Sequence, residues 1–157
     1  MISYHEVQSR LVLHEGMLLK PYICPAGYLT IGVGRNLITN PLSGKELEVV
    51  GKNYKDGISE SAAFFLLKND INRCERELAQ NISWFNQLDD ERQYALLDMC
   101  FNLGIKRLLG FKKMLGAMFI GDYRGAAKEC LNSKYAKDVG KRAQRIAKLI
   151  ERGVWMK

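Results

Sequence analysis

The chain has 157 residues, 47 % hydrophobic and 26 % charged, with 24 Lys and Arg against 17 Asp and Glu for a net charge of +7. This size and balance exclude a disordered chain, a collagen and a disulfide-stapled miniature scaffold, and suffice for one domain or two lobes sharing a core. The longest uncharged stretch, from Pro21 to Gly34, holds two prolines and three glycines in 14 residues and is too short and broken to span a bilayer.

Ser3 is placed to cap a first helix running to about residue 14, with Val7, Leu11 and His14 at spacings of four and three. Gly16 is the natural stop. Glu6, Arg10, Glu15 and Lys20 interrupt these first twenty residues, so no exporting segment is expected. From Leu18 the pattern changes. Tyr22, Ile23, Tyr28, Thr30, Ile31 and Val33 favour strands, and Pro25-Ala26-Gly27 signals a turn between two of them, so a small antiparallel sheet is expected over 18–38. Residues 39–57 carry little period and read as loop, with a short helix near 46–50.

Ser59 can cap the next element. Ala63, Leu67, Ile71, Cys74 and Leu78 recur at four, four, three and four, which predicts a long amphipathic helix over 60–80 that joins two lobes. Asp89, Asp90 and Glu91 place acids where a helix begins, and that helix runs to Gly104. Further helices are expected at 108–119, at 123–131 after Asp122, and at 140–151. In the last, Ala143, Ile146, Ala147 and Ile150 face inward, while Lys141, Arg142, Arg145 and Lys148 mostly face outward. Trp84 and Trp155 read as core anchors.

The fold expected is α+β and mostly helical. A small antiparallel sheet lobe (15–59) and a larger helical lobe (81–157 with 1–14) are joined by the helix at 60–80.

Charge is uneven along the chain. Residues 1–100 carry 10 basic and 13 acidic side chains, and residues 101–157 carry 14 and 4, a net +10. Such a segment suits a polyanionic partner, whether nucleic acid, anionic lipid or an acidic envelope polymer, or simply a solvated surface. The cysteines at 24, 74, 100 and 130 form no CxxC, and neither His5 nor His14 stands at a metal-ligand spacing from them. Cys74 and Cys100 lie in apolar helical patterns and read as core; Cys24 stands apart in a Gly/Pro-rich loop.

Glu15 closes the first helix, where the negative end of the dipole disfavours a carboxylate and tends to raise its pKa. An acid that protonates a leaving oxygen near neutral pH needs such a shift. The segment continues through Cys24 to Gly27-Tyr28-Leu29-Thr30-Ile31-Gly32-Val33-Gly34. Eight residues separate Glu15 from Cys24, and five separate Cys24 from Thr30. Spacing and glycine string together resemble the phage-type lysozymes, the endolysin muramidases of glycoside hydrolase family twenty-four. Phe101-Asn102-x-Gly104, Gly110-Phe111, Arg142-Ala143-x-Arg145 and Glu151-x-Gly153-x-Trp155 extend the likeness over nearly the whole chain.

The resemblance implies hydrolysis of the β-1,4 bond between N-acetylmuramic acid and N-acetylglucosamine in peptidoglycan, without metal or organic cofactor. Glu15 would be the acid, Thr30 would orient water, and Cys24 takes the place of a carboxylate found in many relatives, though the family pattern admits Cys. Cys24 is either a nucleophile or a water-positioning group; a thiol does the latter's polarising work only if its pKa is lowered, and no cation lies nearer in sequence than Lys20. Phe101 and Asn102 are candidate substrate contacts, Asn102 for an N-acetyl group. The resemblance also implies a monomer whose partners are peptidoglycan strands; the +10 of residues 101–157 adds an expected contact with anionic envelope polymers, and no nucleic acid is expected. It implies residence in the host cytoplasm until a holin releases the enzyme to the wall, and host lysis thereafter.

Two rivals stand beside this reading. A lytic transglycosylase also uses one Glu but leaves Cys24 and Thr30 no water to place. A non-catalytic basic module binding nucleic acid or membrane would keep its binding without Glu15. Gly32-x-Gly34 is not a dinucleotide fingerprint, because Leu37 stands where the third glycine belongs.

Overall fold

A computed structural model describes residues 1–156. The chain divides into two compact units, Tyr4–Arg73 and Met1–Ser3 together with the residues from Cys74 onward. It is α+β and mostly helical, with one three-stranded antiparallel sheet.

In the first unit, α1 (Tyr4–Glu15) buries Val7 and Leu11 as their spacing predicts. Strands β1 (Leu18–Ile23), β2 (Leu29–Gly32) and β3 (Arg35–Asn36) follow in sequence order. Tyr22 pairs with Thr30 and Ile23 with Leu29, and an irregularity interrupts the ladder before Leu18 meets Gly32. Thr30 also faces Asn36 and Ile31 faces Arg35. Short α2 (Gly44–Val50) begins with a capping box: Ser43 Oγ accepts from the Glu46 N–H, and Glu46 Oε1 accepts from the Ser43 N–H. A single 3-10 turn, Tyr54–Asp56, leads toward α3 (Glu60–Asn81). The core of this unit gathers Ile31, Val50, Ile58, Ala62, Ala63 and Leu66.

The boundary between the units falls inside α3, between Arg73 and Cys74. Ala63, Leu67, Ile71, Cys74 and Leu78 are all buried, so the periodicity marks the apolar face correctly.

In the second unit, α4 (Asp90–Leu103) is capped by Asp89, whose carboxylate accepts from the Arg92 N–H. The single helix expected over 108–119 is instead two, α5 (Ile105–Leu109) and α6 (Lys112–Phe119). The Gly110 N–H turns back to the carbonyls of Arg107 and Leu108, which ends α5, and Phe111 opens α6. Then come α7 (Tyr123–Leu131), α8 (Lys134–Val139) and α9 (Lys141–Arg152). Helix α8 has no counterpart in the sequence reading; Ser133 caps it through the Ala136 N–H.

One orientation in α9 is corrected. Ala143, Ile146, Ala147 and Ile150 are buried as expected, but Arg142 turns inward. Its Nε donates to Asp98 Oδ1 at 2.9 Å, and Tyr94 Oη donates to Asp98 Oδ2 at 2.8 Å, which satisfies a carboxylate with no solvent exposure. The Arg145 guanidinium lies 5.5 Å from the ring centre of Trp155, itself edge-on to Tyr94. Both tryptophans are half-buried rather than enclosed.

Candidate active site

Three elements of the first unit converge on the proposed acid. Helix α1 ends at Glu15, where the Gly16 N–H closes onto the Val12 carbonyl at 2.8 Å and Gly16 takes φ +73°. Glu15 is half-buried. Its carboxylate lies against the backbone of Gly34, between β2 and β3. A Cβ at Gly34 would stand 2.6 Å from Glu15 Oε1 and 2.8 Å from Cδ. The glycine string seen in the sequence thus has a steric reason: at Gly34 the chain passes where a side chain would displace the carboxylate.

The strand that follows Gly34 is fixed by a buried ion network. Arg35 donates from Nη2 to Glu46 Oε1 at 2.7 Å and from Nη1 to Glu46 Oε2 at 2.9 Å, and its Nε reaches the Asn40 carbonyl. Asp70 Oδ1 lies 3.4 Å from Arg35 and 2.7 Å from Arg73. Burial alone would raise the Glu46 pKa, yet the hydrogen bonds from Arg35, Asn69 and the Ser43 backbone bring it down to about 2. For Asp70 burial prevails over both arginines, and its pKa is raised. Nothing in the residue pattern announces this network, because its members stand up to 38 positions apart.

The turn between β1 and β2 holds Cys24. The Cys24 N–H donates to the Tyr28 carbonyl at 2.9 Å and the Gly27 N–H to the Cys24 carbonyl at 2.8 Å, a tight loop that Gly27 permits at φ +91°. Burial raises the thiol's pKa, but hydrogen bonds from the Tyr28 backbone, the Thr30 side chain and the Ala26 and Gly27 backbones outweigh it, and the net shift is downward. The sequence offered no cation to stabilise a thiolate. The loop does so with main-chain N–H groups instead, a concave set of donors of the kind that holds anions.

Thr30 is buried on β2, and its Oγ1 donates to the Tyr28 carbonyl at 2.8 Å. The hydroxyl's single proton serves this carbonyl or, when Cys24 is ionised, the thiolate, and its oxygen can accept from a water in either case. Tyr22, opposite Thr30 in the ladder, reports on both acids. Burial raises its pKa, and negative charge on Glu15 and then on Cys24 raises it further. The structure therefore groups Glu15, Cys24, Thr30 and Tyr22 around one end of the sheet.

Phe101 and Asn102 belong to the second unit, near the C-terminus of α4, and are half-buried. Asn102 Oδ1 is buried and accepts no hydrogen bond among the described residues. Such an orphaned acceptor costs about 1–3 kcal/mol unless something donates to it. Among the described residues, no group of three or more His, Cys, Asp or Glu is placed to hold a metal ion.

The family described as phage lysozyme matches residues 12–153, which includes every residue of this site. The chain belongs to the phage lysozyme family. It is a lysozyme, and peptidoglycan is its substrate. It is 27 % identical over 161 residues to a probable T4-type lysozyme of Dictyostelium discoideum, covering 94 % of each chain. It is 30 % identical over 141 residues to an endolysin of Acyrthosiphon pisum secondary endosymbiont phage 1, covering 88 % of this lysozyme and 86 % of the relative. It is also 28 % identical to the pre-baseplate central spike protein Gp5 of Enterobacteria phage T4, over 88 % of this chain but 26 % of that longer one.

Proposed function

We propose that this lysozyme hydrolyses the β-1,4 bond between N-acetylmuramic acid and N-acetylglucosamine, and so lyses a bacterial host. The observation that carries the reading is the grouping of a helix-end carboxylate, a thiol in a ring of N–H donors and a strand hydroxyl around one phenol.

In this reading Glu15 gives its proton to the departing glycosidic oxygen as the bond to the anomeric carbon breaks. A water gives one hydrogen to Thr30 Oγ1 and the other to Cys24, which leaves its lone pairs free for the anomeric carbon. As the new C–O bond forms, the water's proton passes to the Cys24 thiolate, and solvent later exchanges it with Glu15. Cys24 thereby stands in for a carboxylate. Asn102 Oδ1 accepts from the amide N–H of an N-acetyl group, which supplies its missing donor, and Phe101 offers its ring to a sugar face. The enzyme acts as a monomer. Its basic residues over 101–157 contact anionic envelope polymers, and a separate pore releases it from the host cytoplasm.

Digestion of purified peptidoglycan, with mass analysis of the released muropeptides, tests the reaction. Reducing ends are expected. Anhydro ends would make the enzyme a transglycosylase, and no release would remove catalysis at this site altogether.

A further inference from the structure

In the second unit, the turn between α6 and α7 raises two large apolar side chains into solvent. Phe119 is 63 % exposed and Ile120 is 75 % exposed, the latter the most exposed large hydrophobic residue in the protein. The turn is firmly built. The Ile120 N–H reaches the Gly116 carbonyl, the Gly121 N–H reaches Met118, and the Asp122 N–H reaches Ala117 at 2.8 Å. Gly121 supplies the φ of +80° that the reversal needs. Phe119 is held tilted against Trp84, with ring centres 5.9 Å apart. Beside them opens a hollow of about 300 Å³ that Leu88, Met118 and Tyr123 also line.

Cations flank this tip. Lys112 stands seven residues before Phe119, two turns back on the same face of α6. Arg124 and Lys128 stand four apart on the exposed face of α7. None of the three forms an ion pair among the described residues. Of the acids on these elements and beside Trp84, Asp122 caps α7, Asp89 pairs with Arg92 and Asp90 with the terminal ammonium of Met1, while Glu129 lies away from the tip, in a separate hollow that Lys112 and Lys113 also line.

We propose that this tip docks on an anionic phospholipid surface, with Phe119, Ile120 and the edge of Trp84 entering the interface and Lys112, Arg124 and Lys128 lying at headgroup level. Only an amphipathic interface rewards both parts of the surface: the apolar pair gains burial, and the free cations gain anionic partners. An aromatic ring with one polar edge, such as Trp84, suits the same depth. A second copy of the chain is a poor fit, because two side chains and part of a third fall far short of the roughly 800 Å² per partner of a stable interface. A glycan polyanion would use the cations and leave the apolar pair in water.

The test is sedimentation with vesicles of equal parts phosphatidylglycerol and phosphatidylcholine, against vesicles of phosphatidylcholine alone, with tryptophan emission followed in parallel. Binding to the anionic vesicles only, with a blue shift, is expected. Burial of these side chains favours the bound state enough that Phe119→Ser with Ile120→Ser should weaken binding by about tenfold or more. Ile120→Ser alone, at the most exposed position, should weaken it by a smaller factor and guards against misfolding of the double variant. Lys112→Gln with Arg124→Gln and Lys128→Gln should abolish the preference for anionic lipid. Clearing of purified walls should stay unchanged in the two serine variants, since Phe119 and Ile120 belong neither to the catalytic group nor to the basic residues that contact the wall. No binding by the parent, equal binding to both vesicles, or full binding by the serine variants would overturn the proposal. A dimer in sedimentation equilibrium that Ile120→Ser dissolves would overturn it too, by assigning the tip to self-association.

Discussion

The Glu15 carboxylate occupies the space where a side chain on Gly34 would stand, with Oε1 2.6 Å from the place of that Cβ. Gly34 has φ +68°, so alanine there meets a backbone penalty of about 1–2 kcal/mol as well. Gly32 separates the two effects, because it has φ +67° but a Cβ there would only touch Ala63 at 3.4 Å. Gly34→Ala and Gly32→Ala should therefore lose similar thermal stability. Only Gly34→Ala should lose wall-clearing rate by about 10²-fold, the scale of a misplaced catalytic group. Equal rates in the two variants would detach Gly34 from Glu15.

Glu15→Gln should fold as the parent does and lose about 10²–10⁴-fold in rate, because the amide has the shape of the acid but no proton to give. Circular dichroism with a turbidity assay on purified walls measures both quantities. A folded variant that keeps more than about a tenth of the rate would rule Glu15 out as the acid.

Cys24 gives a pH signature. Its lowered pKa means the thiolate forms at a lower pH than an ordinary cysteine allows, so a rate that needs the thiolate climbs with pH through that lowered value. Cys24→Asp should shift this limb into the carboxylate range and keep activity within about tenfold, whereas Cys24→Ala should lose about 10²-fold and Thr30→Ala a similar amount. The N–H cradle that favours a thiolate also suits a nucleophile, so stereochemistry decides between the roles. NMR should show the α-anomer released first, by inversion. A β-anomer, or a sugar adduct trapped on Cys24, would make the thiol the nucleophile.

The Arg35 network should divide unequally between its two acids. Glu46 has a pKa lowered from 4.5 to about 2, so its folded form binds protons less readily than the unfolded chain does. Its stabilisation is full above pH 4.5 and fades as pH falls through about 2. Asp70 is shifted upward and has the opposite slope, favouring the fold slightly as it protonates. Glu46→Gln should cost about 2–3 kcal/mol at pH 7 in urea unfolding, with the gap to the parent closing toward pH 2. Asp70→Asn should cost less. Equal losses, or a gap for Glu46→Gln that ignores pH, would contradict this division.

Wall binding should weaken as salt rises, since the screening length falls from about 10 Å at 0.1 M to about 3 Å at 1 M. Because Arg142 is engaged by Asp98, the α9 side chains to neutralise are Lys141 and Lys148, both exposed. Lys141→Gln with Lys148→Gln should reduce cosedimentation with walls at 0.1 M salt and change nothing at 1 M. Binding that is constant across that range would leave the charge a matter of solubility.

Some of this was open to a reader of the sequence and some was not, for reasons that differ by residue. The apolar face of α3 was legible because Ala63, Leu67, Ile71, Cys74 and Leu78 repeat within one uninterrupted helix. The break at Gly110 was not, since apolar residues continue at helical spacing on both sides of it. Helix α8 is six residues long, below the length at which a period declares itself. Arg142 reads as a surface cation until Asp98, 44 positions away, is brought beside it. In the site, the types and spacing of Glu15, Cys24 and Thr30 were plain. The cradle under Cys24 was not, because backbone N–H groups are the same whatever residues carry them. Asn102 was legible as a polar residue near the end of a helix, but its want of a donor appears only in three dimensions.

The burial of three of the four cysteines makes the folded protein chemically monofunctional. Cys74, Cys100 and Cys130 are each at most 1 % exposed, and burial pushes the Cys130 thiol up to about 12, while Cys24 is partly exposed and ionises more readily than usual. A thiolate-selective reagent therefore meets one reactive sulfur in the native molecule and four in the unfolded chain. Each molecule that opens announces itself with three additional equivalents of label. The same thiol that marks the site thus provides the baseline against which transient openings of the structure are timed.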